Sequence, residues 1–313
     1  MPVSCLPNDL INSANCLRCV PRGLQRPVQI SLLCRWLNRS PAPPPATGFS
    51  YEPATTNIQW IDSTGPHIGT LAAFNATALI PSVSYLGFNS SGITSITGLG
   101  SLPALDSLTC SDNLLTSLDL TGCTALRSLV CARNHLTSLT ITDSTGLVVL
   151  DCSDNSLTSL NLAGFASLLT LYCQNNLLTS LIVSGCSTLS ALNCSYNALT
   201  SLTLTGLTAL TYLDGSYNQI ASLDCSPLIH ATTIQVAFNQ ITTLNVAGCV
   251  SLLAFGFDNN LMNSTEVGNV LCALLANGGP SATGDIAENS PPSAAGNICK
   301  SNLAALGWDV NTD

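Results

Sequence analysis

Of 313 residues only 8% are charged, 46% are apolar and the formal net charge is −9, a balance that argues against a nucleic-acid-binding protein, which needs a basic face. The longest apolar candidate outside the repeats, Val28 to Leu37, is broken by Gln29 and Arg35 and is too short to span a bilayer. Residues 1–10 lack the cationic start and apolar run of a secretory signal, and the length suits one elongated body with end modules better than two globular domains.

In chain order, residues 1–40 come first and are basic. Arg18, Arg22, Arg26, Arg35 and Arg39 against Asp9 give them a balance of +4, which leaves 3 basic and 16 acidic residues, or −13, for the rest. Residues 8–38 read as an N-terminal helical module, with Asn8 or Asp9 as N-cap, a turn at Pro21-Arg22-Gly23 and a second helix through Val28, Ile30, Leu32, Leu33 and Leu37. This segment docks on the acidic remainder of its own subunit, or on that of a neighbouring one to make a homo-oligomer, or is a solvated helix face. Cys16 and Cys19 have metal or redox spacing, but no second such pair and no histidine lies nearby, so zinc, a disulfide and plain packing stay open for Cys5, Cys16, Cys19 and Cys34. Residues 41–49, opening on Pro41 to Pro45, read as a stiff Pro-rich linker. Residues 50–82 are expected to cap the open β edge of the repeats.

Over residues 83–262 asparagine recurs every twenty-one positions, at Asn113, Asn134, Asn155, Asn176, Asn197, Asn218, Asn239 and Asn260. The frame around it is LxxLxCxxNxLxxLxL, as in Leu105, Leu108, Cys110, Asn113, Leu115, Leu118 and Leu120; a degenerate copy with Ser91 in the asparagine slot precedes it. A strict period of this length means a solenoid, and the i, i+2 apolar spacing means strands, so about nine coils would stack over roughly 40 Å at strand spacing. The asparagines are assigned a structural role, turned inward to satisfy backbone groups of their own and adjacent coils. Cys110, Cys131, Cys152, Cys173 and Cys194 share a slot that elsewhere holds Gly215, Val236 and Phe257, while Cys123, Cys186 and Cys249 share one with Phe165, Leu207 and Leu228. These thiols are therefore expected to be buried, reduced and inert.

After Asn260 the period stops. Residues 263–313 read as an α/β cap: a helix capped by Ser264 and ending at Asn277-Gly278-Gly279, a strand near Gly284 to Ala287, a helix after Pro291-Pro292-Ser293 that stops at Gly307, and a final strand through Trp308, Asp309 and Val310. Cys272 and Cys299 either pair or pack.

On these motifs the chain resembles the leucine-rich repeats, specifically the short bacterial 21-residue (IRREKO-like) class with a nested half-period: Leu105-x2-Leu108-x-Cys110 is echoed ten residues later by Leu115-x2-Leu118-x-Leu120. The resemblance implies a β-rich leucine-rich-repeat solenoid that displays side chains rather than a particular chemistry. The segment Leu10 to Trp36 also resembles uncharacterised proteins of bacteriophages and environmental bacteria, and that resemblance implies a setting in a virion or on a bacterial surface.

For function, the outward positions matter. Thr109, Val130, Asp151, Tyr172, Asn193, Asp214, Gln235 and Gly256 lie between leucine and cysteine; Asp112, Arg133, Asp154, Asn175, Tyr196, Tyr217, Phe238 and Asn259 precede asparagine. Tyr196, Tyr217 and Phe238 fall on three consecutive coils. With Tyr172, Asp214, Asp151 and Arg133 they form a candidate ligand-binding strip for a protein or glycan, unless the aromatics only cover the strand ends. Three scattered histidines, a lone lysine and three glutamates supply no nucleophile and base pair, no phosphate-cradling loop is present, and no cofactor or metal is implied. The reading is a non-enzymatic recognition or structural protein, with a self-assembling subunit joined through residues 1–40 as the alternative.

Overall fold

The computed structural model describes residues 83–312 and the strands Thr47–Glu52, Asn57–Asp62 and Ala73–Asn75. The helical module expected over 1–40, with Cys5, Cys16, Cys19 and Cys34, and the polyproline part of the linker lie outside the described residues. The chain forms two compact units, Met1–Leu147 and Val148–Asp313, built from the same coil.

Each coil alternates three-residue strands with turns. In the first unit Ser107–Thr109 buries Leu108 and turns Ser107 and Thr109 outward, the period of two that a strand imposes. Ten residues on, Ser117–Asp119 does the same with Leu118 on a second face, so the nested half-period corresponds to a second row of strands. Strands of successive coils pair in parallel at the repeat interval, Leu86 beside Leu108 beside Leu129, and Leu118 beside Leu139. Leucine therefore stacks on leucine. Asn57–Asp62 extends this sheet by pairing in parallel with Tyr85–Gly87 and antiparallel with Thr47–Glu52, a strand that begins at the end of the segment read as linker.

The second unit carries eight parallel strands from Val149–Asp151 to Asp309–Asn311, with Leu150, Leu171, Leu192, Leu213, Ile234, Phe255, Gly284 and Val310 in one register. Its other face holds two short pairs, Ser159–Asn161 with Ser180–Ile182 and Ser222–Asp224 with Thr243–Asn245. In both units the inward side chains are sealed; Leu108, Cys131 and Leu150 have no exposed surface. All nine free cysteines among the described residues are buried, including Cys225, which takes the slot of Leu120 and Leu162. Ser144 stands where Cys123 and Phe165 stand in other coils, and its hydroxyl donates to the Cys123 carbonyl at 3.0 Å, which makes that burial tolerable.

The cap differs from its sequence reading in two respects. The first helix is Ser264–Asn277, and its N-cap is Asn263 rather than Ser264, because the Asn263 side chain accepts from both Thr265 and Glu266 backbone N–H groups. Gly278 then ends the helix in the left-handed region. The second difference is that the coil outlives the period. After the inserted helix, strand Thr283–Asp285 leads to Asn289, whose Nδ2 donates to the Phe257, Ile286 and Ala287 carbonyls while its Oδ1 accepts from the Met262 N–H. Gly284 occupies the leucine slot because the Phe255 ring fills the space that a Cβ there would need. The second helix, Ala294–Ala305, is capped by Ser293 and crosses the first, and a disulfide joins Cys272 to Cys299.

Candidate recognition surface

The ladder asparagines determine what is displayed. Asn218 shows the pattern: Nδ2 donates to Cys194, Gly215 and Ser216 carbonyls at 3.1–3.2 Å, and Oδ1 accepts from the Leu199 N–H at 2.9 Å. Asn176, Asn197, Asn239 and Asn260 repeat it, as do Asn113 and Asn134 in the first unit. Asn155 donates to Cys152 and Ser153 in the same way. Drawing each asparagine inward forces a sharp turn on the residue before it.

That residue is left-handed in every coil. Asp112, Arg133, Asp154, Asn175, Tyr196, Tyr217, Phe238, Asn259 and the cap's Glu288 all have φ between 52° and 58°. The conformation favours glycine, asparagine and aspartate, and is a real outlier for a bulky side chain. Tyr196, Tyr217 and Phe238 therefore stand on the turn after the strand, not on the strand itself. They stack on one another, with centroids 4.2 Å and 4.3 Å apart and planes within 9° and 8°, and are 51%, 39% and 41% exposed. A hydrogen bond with the Tyr196 hydroxyl, more than burial, pushes the Tyr217 phenol up. Their column neighbours are matched too: Asn175 donates to Asp154 at 2.9 Å, and Asn259 to Asp258 at 2.8 Å.

Tyr172, Asp151 and Asp214 project from the strands. Asp151 and Asp214 each spend Oδ1 on the N–H two residues on, Ser153 and Ser216. Missed in the sequence was Tyr212, at the other outward position of its strand. Burial, then Asp214 and Tyr172, push its phenol up, so these three groups are neighbours. Its signal was available, since outward positions flank the inward leucine on both sides. Arg133 belongs to the first unit, where its guanidinium grips Asp112 at 2.5 and 2.8 Å; that hydrogen bonding, and then its charge, hold Asp112 below the usual carboxylate range.

Elsewhere in the second unit an open groove of about 540 Å³ lies between Ser222–Asp224, Thr243–Asn245 and the first cap helix. Glu266 closes the strand edge there by accepting from the Leu244 N–H. Among the described residues no group of three or more His, Cys, Asp or Glu is placed to hold a metal, and no helix is long and apolar enough to cross a membrane.

The stacked-coil fold is matched in solved structures. The functional domain of InlJ from Listeria monocytogenes, described as including a cysteine ladder, is similar at 27% identity and a TM-score of 0.62, over 75% of this chain and 49% of that one. The fold is a leucine-rich-repeat solenoid. YopM, a leucine-rich effector protein from Yersinia pestis, shares it at 19% identity and a TM-score of 0.56, over 88% of this chain and 75% of that one. This leucine-rich-repeat chain spans about half the length of the InlJ domain it matches. No protein-family model and no curated protein matches it.

Proposed function

We propose that this chain is a non-enzymatic bacterial recognition protein that binds a protein or glycan partner on the strand-and-turn face of its second unit, centred on Tyr196, Tyr217 and Phe238. One observation carries the reading: three large aromatics, each about half exposed, occupy left-handed positions where Asn175 and Asn259 show what the backbone itself prefers. A bulky residue there costs on the order of 1–2 kcal/mol, so the rings serve something other than the turn. Exposed, immobilised tyrosines are among the commonest residues at binding hot spots. Tyr172, Tyr212, Asp151 and Asp214 supply the flank; in the first unit Arg133 holds the same turn position of its own coil. The disulfide supports an oxidising, extracellular setting, at a bacterial surface or on a virion.

The test is to probe glycan arrays, protein arrays and host cells with the full chain and with Tyr196→Ser/Tyr217→Ser/Phe238→Ser. Binding that is lost in the triple variant is the expected result, and equal binding by both overturns the reading. The contrast of +4 over residues 1–40 with −13 over the rest favours a second reading, self-assembly through the N-terminal segment. Light scattering on the full chain and on one lacking residues 1–45 decides it, since a monomer in both removes assembly.

A further inference from the structure

The stacking geometry narrows the partner, and this rests on the proposal that the aromatic column is a binding surface. A sugar binds an aromatic residue through the face of the ring. Here Tyr217 has a neighbouring ring against both faces, and Tyr196 and Phe238 each have one face covered, at 4.2 Å and 4.3 Å with nearly parallel planes. Apart from the two end faces, what the column offers a partner is ring edges and two adjacent phenol hydroxyls. Ring edges carry the positive end of the aromatic quadrupole and suit carbonyl oxygens.

Around those edges the charge has one sign. The outward strand and turn positions of the second unit carry Asp151, Asp154, Asp214, Asp285 and Glu288, Asp258 adjoins Asn259 in the turn, and no lysine or arginine occurs between residues 148 and 299. Asp258 is close enough to act on the Tyr217 phenol, and Asp214 on Tyr212. The groups that donate to Asp151, Asp154, Asp214, Asp258 and Asp285 are backbone N–H groups, hydroxyls or asparagine amides, which leave the negative charge uncompensated. A complementary partner must bring acceptors for the edges and cations for the rim. A neutral glycan brings no cation; a basic polypeptide brings both, its backbone carbonyls and its arginine or lysine side chains.

We infer that the partner of this face is a cationic polypeptide, whose backbone lies across the edges of Tyr196, Tyr217 and Phe238 and whose basic side chains meet the carboxylates around them. The probe is an array of synthetic peptides graded in net charge from acidic to basic, run beside a neutral glycan array, with the full chain and two variants. Tyr196→Asn/Tyr217→Asn/Phe238→Asn removes the column without changing charge and places at each turn the residue that Asn175 and Asn259 already show it accepts. Asp214→Asn/Asp258→Asn removes rim charge; Asn193 already makes the same turn contact to Ser195 as Asp214 makes to Ser216.

The full chain is expected to retain basic peptides selectively and to lose them as salt rises. The aromatic variant should lower that retention by roughly tenfold or more with its thermal midpoint kept, and the rim variant should flatten the salt dependence. Glycan binding that vanishes in the aromatic variant, without retention of basic peptides, overturns the cationic-polypeptide inference but preserves the column as a recognition site. Basic-peptide retention that is equal in the full chain and the aromatic variant overturns both. A full chain that retains no basic peptide, or retains acidic and basic ones alike, overturns the inference.

Discussion

A ladder asparagine bonds four backbone groups, among them an N–H that the turn of a coil would otherwise bury without a partner, which is why no apolar residue replaces it over eight repeats. Asn218→Ala takes the Oδ1 acceptor from the Leu199 N–H and one donor from each of three carbonyls, which keep Asn197, Asn239 and the Tyr196 N–H as their other donors. At about 1–3 kcal/mol for the buried N–H left unmet, and about 0.5–1.5 kcal/mol for each further bond lost, the loss is expected to reach about 3 kcal/mol. Urea unfolding measures it, and a midpoint shared with the unsubstituted chain would contradict the role. The inward role of asparagine was legible in its period. Its consequence, the left-handed residue just before it, was not, because a period places a residue in a slot without giving its φ. A trace was nonetheless present: Asp112, Asp154, Asn175 and Asn259 share that slot, and they are the residue types that tolerate the conformation. Asp151 and Asp214 were legible as outward groups, but not their bonds to Ser153 and Ser216, which need the strand to end where it does.

At the level of elements, the cap shows where local signals suffice and where they stop. Asn263, Ser293 and Gly278 mark helix ends by their own chemistry, to within a residue. Whether Cys272 and Cys299 pair depends instead on how two helices cross. Gly268 and Gly296 let them meet backbone to backbone: a Cβ on Gly296 would lie 2.5 Å from the Gly268 Cα, and the crossing leaves the two cysteine Cα atoms 5.1 Å apart. The separation of 27 residues makes the bridge worth roughly 3–4 kcal/mol in the chain-entropy account. Cys272→Ser/Cys299→Ser should therefore strip hydrogen-exchange protection from Ser264–Asn277 and Ala294–Ala305 before it affects strands such as Thr170–Tyr172. Protection that falls evenly across the second unit would show that the bridge does not act locally. The continuation of the ladder to Asn289 was hidden for a related reason, since the inserted helix breaks the period that made the other asparagines visible.

Across the molecule, stability comes from neighbouring coils sealing one another's cores, and the buried thiols give that sealing a pH signature. Burial raises Cys110, Cys152 and Cys194 to about 12, and raises Cys249 to about 12 with help from Asp224. An unfolded thiol ionises near pH 9, so above that the unfolded chain has released protons that the folded chain still holds. Stability is then intact below pH 9 and lost as pH rises toward 12, by up to about 1.4 kcal/mol per pH unit for each such thiol. Urea midpoints should fall steeply across this window. Cys152→Val/Cys194→Val, which installs the side chain that Val236 already places in the same slot, should flatten the fall; an unchanged slope would sink the account.

Composition at fixed offsets determined a good deal without coordinates: the coil, its inward leucines and thiols, its asparagine ladder, and the coils on which aromatic residues stand. Each is a property of one coil repeated, so it is written locally and many times over. Only the tertiary structure decided that Tyr196, Tyr217 and Phe238 stack face to face, that Tyr212 joins Tyr172 and Asp214, and that Cys272 finds Cys299. Those outcomes depend on contacts between coils and between helices, where register and crossing geometry, not the identity of any single residue, bring the groups together.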